Sequence, residues 1–235
     1  MTLRRPAKRN ALSIELRETL ADAFAELGQD AAIGCVVLTG AGGAFCSGMD
    51  LTEFGGDPRH RRRLYESSLA AFDRVGECPR PVVAAINGPA LAGGFALALL
   101  CDLRIAAAEA TFGYPELPRG IPPSYAAARA VLPATVAQEL CLTGRIVPAP
   151  EAQKLGIVRE VLAPGRDILA RAIETAERVT KLPRRAVLET KARTLLERRH
   201  LWGFLFDEER DAFRRAVLGP EQASASTGGE RADAD

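Results

Sequence analysis

The chain has 235 residues, of which 47% are hydrophobic and 26% are charged, and its formal net charge is +1. This composition is typical of a globular protein with a buried core, and the near-neutral balance disfavours a nucleic-acid or membrane-surface partner. Five cysteines without a CxxC pair and two distant histidines leave a metal site almost no ligands and indicate reduced thiols, as in a cytoplasm. No charged segment followed by an apolar run opens the chain, so we expect no signal peptide.

Two segments of the N-terminal half share one pattern, an apolar run followed by a glycine-rich turn. Before them, helical spacing of apolar residues predicts a helix from Ser13 to Leu27, with Ser13 as N-cap and Gly28 as C-cap. The first run, 32–38, leads through glycines to Ser47-Gly48-Met49-Asp50. The second run, 81–86, leads through Asn87-Gly88 to Ala92-Gly93-Gly94. Such runs predict strands of a sheet that is covered on both faces.

The second apolar run also has the length of a membrane span, since 81–101 is almost wholly apolar. Pro89 would break a helix in its middle, however. We therefore interpret 82–86 as a buried strand and 91–100 as a buried helix, without a membrane span.

The C-terminal half is predicted to be rich in helices. A short strand at 103–107 precedes a turn into Tyr114-Pro115-Glu116. The predicted helices are 124–132, 135–142, 150–155, 167–180 and 183–217. We expect an α/β core over 1–165, a helical C-terminal region over 166–218, and a disordered tail over 219–235, where no apolar periodicity remains.

The two glycine-rich turns suit one of two ligands. A helix N-terminus that follows glycines presents unpaired N–H groups, which hold either a phosphate or a developing oxyanion. The phosphate interpretation is weak, because Phe95-Ala96 follows Gly94 where a P-loop has Lys-Ser/Thr, and Phe45 replaces the third glycine of GxGxxG. The remaining alternative is that the glycines only permit tight packing.

An ordered set of motifs resembles the crotonase (enoyl-CoA hydratase/isomerase) superfamily. The resemblance extends from Leu3 to about Leu218 and rests on these segments in the family's order: RPAKRNALS at 5–13, GAFCSGMDL at 43–51, NGPALAGG at 87–94, CDL at 101–103, FGYPE at 112–116, LTGR at 142–145, and 152–161.

The resemblance implies a fold and a ligand. The fold would be a crotonase-like α/β spiral of repeated ββα units with a helical C-terminal extension that packs subunits into trimers or dimers of trimers. The N–H groups of Met49 and Gly93 would form an oxyanion hole around the thioester carbonyl of an acyl-CoA substrate. No cofactor is expected beyond the coenzyme A of that substrate.

One departure from the family pattern affects the reaction. Family hydratases hold a water between two glutamates; Glu116 stands at one of these positions, but Ala96 stands at the other. Chemistry that needs one base survives this loss, so the leading hypothesis is an enoyl-CoA isomerase with Glu116 as the proton shuttle. The alternatives are a hydratase that uses Glu116 alone and a non-catalytic acyl-CoA-binding scaffold.

Two further departures concern the loop after Glu116 and the sheet edge. Ile121-Pro122-Pro123-Ser124 replaces a more glycine-rich stretch, so that Tyr114, Arg119 or Tyr125 could add a polar group to the pocket. The family normally has about ten more residues that form an edge hairpin before this start, so either the start codon lies downstream of the usual one or this member lacks that strand.

The resemblance also suggests substrate contacts. Lys8 and Arg9 would approach the coenzyme A phosphates, and Phe204 and Phe206 would cover the ligand of a neighbouring subunit. The nucleotide groove would be lined by Ala44, Cys46, Met49 and Gly94. Cys46 beside a helix start is also a candidate nucleophile, but no histidine lies near it in the sequence.

Overall fold

Parallel strands and helices alternate along most of the chain. Within residues 1–219, which the computed structural model describes, the chain forms eight strands and eight α-helices. The strands are β1 (Thr2–Leu3), β2 (Val36–Gly40), β3 (Val82–Ile86), β4 (Ala90–Leu91), β5 (Leu103–Ala107), β6 (Thr111–Gly113), β7 (Ile146–Pro148) and β8 (Glu160–Leu162). The helices are α1 (Ile14–Gln29), α2 (Pro58–Gly76), α3 (Gly93–Leu100), α4 (Tyr125–Arg129), α5 (Ala134–Thr143), α6 (Ala149–Lys154), α7 (Ile168–Thr180) and α8 (Arg184–Leu218).

The larger sheet has the strand order β1-β2-β3-β5-β8, and all of its neighbouring strands are parallel. Its central strand, β3, is buried along its whole length. Val83 and Ala85 face α7, where they pack with Ile168 and Ala172, whereas the alternate residues of β3 face the main core. The sheet is therefore covered on both faces, which explains why its strands are continuous apolar runs.

The smaller sheet has the order β4-β6-β7, in which β4 is parallel to β6 and β6 is antiparallel to β7. These strands are only two or three residues long and were not predicted as strands from the sequence. They matter here because the second glycine-rich turn follows β4 and Glu116 follows β6.

The long C-terminal helix α8 packs across α2 and α4. Near its start, the buried Lys191 ammonium donates to both carboxylate oxygens of Asp102 at 2.7 and 2.8 Å, and Asp102 also accepts from the Val82 N–H. This pair fastens α8 to the sheet. The expected α/β architecture with a helical C-terminal part is confirmed, whereas the proposed division into two regions stays a prediction.

The structure corrects several local predictions. Ser13 does cap α1, accepting from the Leu16 N–H, but the helix continues through Gly28 to Gln29. Gly28 serves packing instead, since a Cβ built on it would lie 3.1 Å from Pro79 Cδ. Helix α2 was missed, although Asp57 caps it and Pro58 starts it.

The edge of the larger sheet is formed by Thr2–Leu3, which pairs in parallel with Thr39 and Gly40. The absence of the family's edge hairpin stays a prediction. The predicted disordered tail lies outside the described residues, apart from Gly219. No helix within 1–219 is both long enough and apolar enough to cross a membrane.

Candidate active site

Two loops leave the smaller sheet at the same edge. β4 and β6 run in parallel, with Ala90 opposite Phe112. Gly93 comes three residues after Ala90, and Glu116 comes four residues after Phe112. The carboxyl ends of neighbouring parallel strands meet at one edge, which is where α/β folds place their ligands. The topology therefore brings the second glycine-rich turn and Glu116 to one site.

The Met49 loop reaches the same edge. An isolated parallel bridge pairs Cys46 with Ala90, so that Met49 follows Cys46 at the same spacing at which Gly93 follows Ala90. A Cβ built on Gly48 would lie only 3.1 Å from the Gly93 nitrogen, and Gly48 has φ +94°, which favours glycine. The two turns therefore touch through their backbones.

The amides of Met49 and Gly93 are unpaired donors. Neither N–H donates a hydrogen bond to any other group in the described part of the chain. Gly93 begins α3, whose N-terminus offers orphan N–H groups and the positive end of a helix dipole. Ala92, just before it, has φ +52° and ψ −130°, a strained conformation that persists only where the surrounding structure imposes it. The turn thus leaves the Gly93 amide at the start of α3 without an acceptor.

The peptide groups on either side of Met49 are held in place. The Leu12 N–H donates to the Gly48 carbonyl at 2.8 Å, and the Asp50 N–H donates to the Leu12 carbonyl at 3.2 Å. The fully buried Arg17 guanidinium also donates to the Leu12 carbonyl, at 2.6 Å. These bonds fix the Met49 loop while its N–H stays available. Arg17 lies on the first helix and gave no sequence signal for this role.

Glu116 is a buried carboxyl group with an unused acceptor. It is 8% exposed, and its Oε2 atom is buried without a hydrogen-bond partner. Burial raises the pKa of Glu116 to about 7, whereas a hydrogen bond from its own backbone N–H and the positive charge of Arg119 act in the opposite direction. A carboxyl group with this pKa is partly ionised at neutral pH, so it can both take up and release a proton.

The position expected for a second carboxylate is apolar. Ala96 is 4% exposed and belongs to α3, in which every residue after Gly93 is buried. Its side chain packs in the main hydrophobic core. Of the two carboxylates of a family hydratase, the structure therefore provides Glu116 alone at these positions.

The residues around Glu116 contribute few unpaired polar groups to the site. Tyr114 is fully buried, and its phenol donates to the Ser124 carbonyl at 3.2 Å. Burial raises the pKa of Tyr114 well above its ordinary value. Arg119 is exposed at the end of a 3₁₀ turn, and Tyr125 packs partly against the core. The polar group expected from these three residues is thus limited to the exposed Arg119.

Lys8 and Arg9 lie beside the Met49 loop. Both are exposed, at the end of a 3₁₀ turn over Pro6–Lys8. The Arg9 carbonyl accepts from the Ser47 N–H at 3.0 Å. Their side chains are therefore free to meet a negatively charged group, and the phosphate contact stays a prediction. Asn10, which sequence reasoning left without a role, is buried and donates to the Ala41 and Ala44 carbonyls.

The predicted groove lining needs correction. Ala44 is 4% exposed and Cys46 is fully buried, so neither side chain offers a surface to a ligand in this structure. Gly94 packs against Cys46, since a Cβ built on it would lie 2.2 Å from the Cys46 carbonyl oxygen. Burial also raises the pKa of the Cys46 thiol to about 12, which contradicts a role as nucleophile.

Aromatic residues of α2 and α8 lie differently from the prediction. Phe206 packs partly against the core of its own chain, whereas Phe204 is 73% exposed. Cover of a neighbouring subunit's ligand stays a prediction for Phe204. Phe72 of the unpredicted α2 does reach the site, because a Cβ built on Gly93 would lie 3.3 Å from its Cζ atom.

Together these features could bind and polarise a carbonyl group. Two unpaired amides on touching turns can bind an oxygen that becomes negative, which is usually the largest contribution to such catalysis. A buried carboxyl group with a pKa of about 7 on the adjacent loop can move a proton.

Sequence comparisons agree with this geometry. Residues 1–199 match the family model described as Enoyl-CoA hydratase/isomerase. A relative from Thermus thermophilus is 41% identical over 184 residues, which cover 75% of this chain and 72% of the relative. "Enoyl-CoA hydratase EchA19" of Mycobacterium tuberculosis is 36% identical over 187 residues, covering 77% of this chain and 70% of that protein.

Solved structures with the same fold carry similar names. An enoyl-CoA hydratase/isomerase from Mycobacterium paratuberculosis superposes with a TM-score of 0.85 at 28% identity, covering 96% of this chain and 92% of that one. An enoyl-CoA hydratase from Bacillus anthracis gives a TM-score of 0.76 at 31% identity, covering 96% and 91%.

Proposed function

This chain belongs to the enoyl-CoA hydratase/isomerase family, and we propose that it moves the double bond of an enoyl-CoA with Glu116 as its single base. The family acts on acyl-CoA thioesters, which fixes the ligand class. The choice between isomerisation and hydration is the proposal.

The observation that carries the proposal is the contrast between two positions. Glu116 has a buried, unpaired oxygen, and Ala96 has no group that can exchange a proton. Hydration through a pair of carboxylates needs both positions, whereas isomerisation needs one base that works twice.

The reaction would proceed in two proton transfers. The amides of Met49 and Gly93 donate to the thioester oxygen of a 3-enoyl-CoA, and Glu116 as carboxylate removes a proton from C2. The electron pair of that C–H bond forms a dienolate whose negative oxygen is held by the two amides. Glu116, now protonated, returns the proton to C4, the double bond forms between C2 and C3, and the carboxylate is regenerated. Glu116 accepts a proton in the first transfer and releases it in the second, and a pKa near neutral pH suits both steps.

A direct assay separates the candidate functions. The protein is incubated with 3-enoyl-CoA and with 2-enoyl-CoA, and double-bond migration and water addition are followed separately. We expect migration, and Glu116→Gln should abolish it, whereas Glu109→Gln, at an exposed site on the turn before β6, should not. Water addition without migration would overturn the proposal.

Hydration by Glu116 alone is the second candidate, because EchA19 of Mycobacterium tuberculosis bears the name enoyl-CoA hydratase. In that case 2-enoyl-CoA would gain water and Glu116→Gln would again be inactive. Binding of acyl-CoA with neither reaction would favour the scaffold function instead.

The assembly and cofactor assignments rest on family membership. We propose a cytoplasmic homotrimer or dimer of trimers that needs no cofactor apart from the coenzyme A of its substrate. Light scattering after size exclusion tests the assembly, and activity after exhaustive dialysis against a chelator tests the cofactor assignment.

A further inference from the structure

The carboxylate of Glu209, on α8, is bound to the start of α4. Its Oε2 atom accepts from the Ser124 hydroxyl at 2.8 Å, and its Oε1 atom accepts from the Ala126 N–H at 2.6 Å. Burial raises the pKa of Glu209 above its ordinary value. The two hydrogen bonds act against this effect of burial by stabilising the ionised carboxylate, and they hold α8 against α4.

Ser124 also contacts the start of the loop that carries Glu116, which spans 114–126. The loop leaves β6 at Gly113, and the phenol of Tyr114 donates to the Ser124 carbonyl at 3.2 Å. Inside the loop, the Glu116 carbonyl accepts from the Arg119 and Ile121 N–H groups at 2.9 and 3.4 Å. The backbone around Glu116 is therefore fastened to its own far end, and Glu209 holds that end from outside.

Glu209 does not replace the missing second carboxylate. Both of its oxygens are occupied by donors of α4, whereas the Oε2 atom of Glu116 is unpaired. Glu209 meets the Glu116 loop at Ser124, whose hydroxyl donates to Glu209 and whose carbonyl accepts from the Tyr114 phenol.

The neighbouring residue holds α8 to the other side of the site. Arg210 forms a salt bridge with Asp73 of α2, next to Phe72, which approaches Gly93. Tyr65 of α2 and Phe213 of α8 also stack, with 5.9 Å between their ring centroids. Helix α8 thus has a fixed position from which Glu209 can set the loop.

We propose that Glu209 is a positioning residue for Glu116, holding the 114–126 loop so that the Glu116 carboxyl group faces the oxyanion site. The inference rests on the proposed role of Glu116 as the base. Notably, Ser124 belongs to the Ile121-Pro122-Pro123-Ser124 segment that departs from the family pattern. This segment supplies the hydroxyl group that donates to the Glu209 carboxylate.

Kinetics of three variants test the proposal. Glu209→Ala should lower kcat about tenfold to hundredfold with KM little changed, because a displaced catalytic group slows the chemical step more than it weakens binding. Glu209→Gln keeps an acceptor for the Ala126 N–H and should recover most of kcat. Glu208→Ala, the matched control, removes an exposed neighbouring glutamate and should leave kcat unchanged. Rates are compared well below the melting temperature of each variant.

Hydrogen–deuterium exchange of the substrate-free protein gives a readout that needs no reaction. Amides of 117–126 should exchange faster in Glu209→Ala than in the wild type or Glu208→Ala. Unchanged exchange, or wild-type kcat in a folded Glu209→Ala, would overturn the proposal. If Glu209→Ala fails to fold, Ser124→Ala takes its place, with the same expected direction and the same refuting results. If the wild type turns over neither enoyl-CoA, the proposed function fails and the exchange data alone decide on Glu209.

Discussion

The contact between the two glycine-rich turns makes Gly48→Ala a sharp test of the site. A Cβ on residue 48 would lie 2.7 Å from Ala92 Cβ and 3.1 Å from both the Gly93 nitrogen and the Leu91 carbonyl oxygen. Atoms at 2.7 Å must move apart, and the atoms concerned belong to the backbone turn that carries the Gly93 amide. The substitution therefore separates the two amides that we assign to the oxyanion.

The expected magnitudes follow from the geometry. At φ +94° an alanine is strained, which costs about 1–3 kcal/mol of folding stability. Loss of one aligned oxyanion donor lowers kcat by about 10²–10³. We therefore expect a folded, destabilised protein whose kcat with enoyl-CoA falls at least about a hundredfold, measured alongside a urea unfolding curve.

A matched glycine in the same segment provides the control. Gly43 has open space around it and no positive φ, so Gly43→Ala should leave kcat and stability close to the wild type. Adding Ala92→Gly to Gly48→Ala removes the closest of the three contacts and the strain at residue 92, so part of the lost stability should return. A folded Gly48→Ala protein with wild-type kcat would refute the inference that these turns form the oxyanion site.

Other expected results concern stability and reactivity. Lys191→Met leaves the Asp102 carboxylate without its buried partner and should lower the free energy of unfolding by about 3–5 kcal/mol, measured by urea denaturation, while kcat at low temperature persists. Cys46 is fully buried, with a pKa raised by burial to about 12, so iodoacetamide at pH 8 should leave it unlabelled by mass spectrometry and activity intact; rapid labelling would contradict the structure. The pKa of Glu116 is raised from 4.5 to about 7, so the ionised folded state is disfavoured and stability is lost as pH rises between these values. Glu116→Gln should thus be more stable than the wild type by up to about 3 kcal/mol at pH 8 and equal to it near pH 4, and equal stabilities at both pH values would contradict this burial.

The parts of the fold that could be predicted from the sequence are those with continuous apolar runs. Strands β3 and β5 were both predicted with their observed bounds, because β3 is buried along its whole length and β5 is buried at Ile105 and Ala106. Helix α2 was missed although Leu64, Ala71 and Val75 recur at helical spacing on its buried side. Ser67 and Ser68 interrupt that apolar pattern, and their hydroxyls donate to the Leu64 carbonyl. The two-residue strands β1 and β4 likewise depend on partners distant in sequence.

The residues of the candidate site likewise divide into those that a local sequence motif reveals and those that it does not. Local patterns marked the two glycine-rich turns, and the family resemblance marked Glu116, since each lies within a short motif. Glu209 was not found, because its partners Ser124 and Ala126 are distant from it in sequence. Arg17 was not found either, because a single arginine on a predicted helix gives no sign that it is buried and bonded to the Leu12 carbonyl. Cys46 was wrongly placed in a groove because a motif gives the order of residues but not which side of the backbone faces the core.

Because Ala96 replaces a carboxylate, the pH dependence expected of this site differs from that of a site with two carboxylates. Two neighbouring carboxylates titrate as a pair with two macroscopic pKa values, and a base and an acid acting together give a bell-shaped profile. With Ala96 buried in apolar α3, Glu116 is the one carboxyl group at these positions, and burial raises its pKa to about 7. Proton removal from C2 requires the carboxylate, so log kcat/KM for isomerisation should rise with slope one up to a single inflection near pH 7 and then stay level. A second inflection on the alkaline side would show that a further acid takes part, and the one-base mechanism would then be wrong.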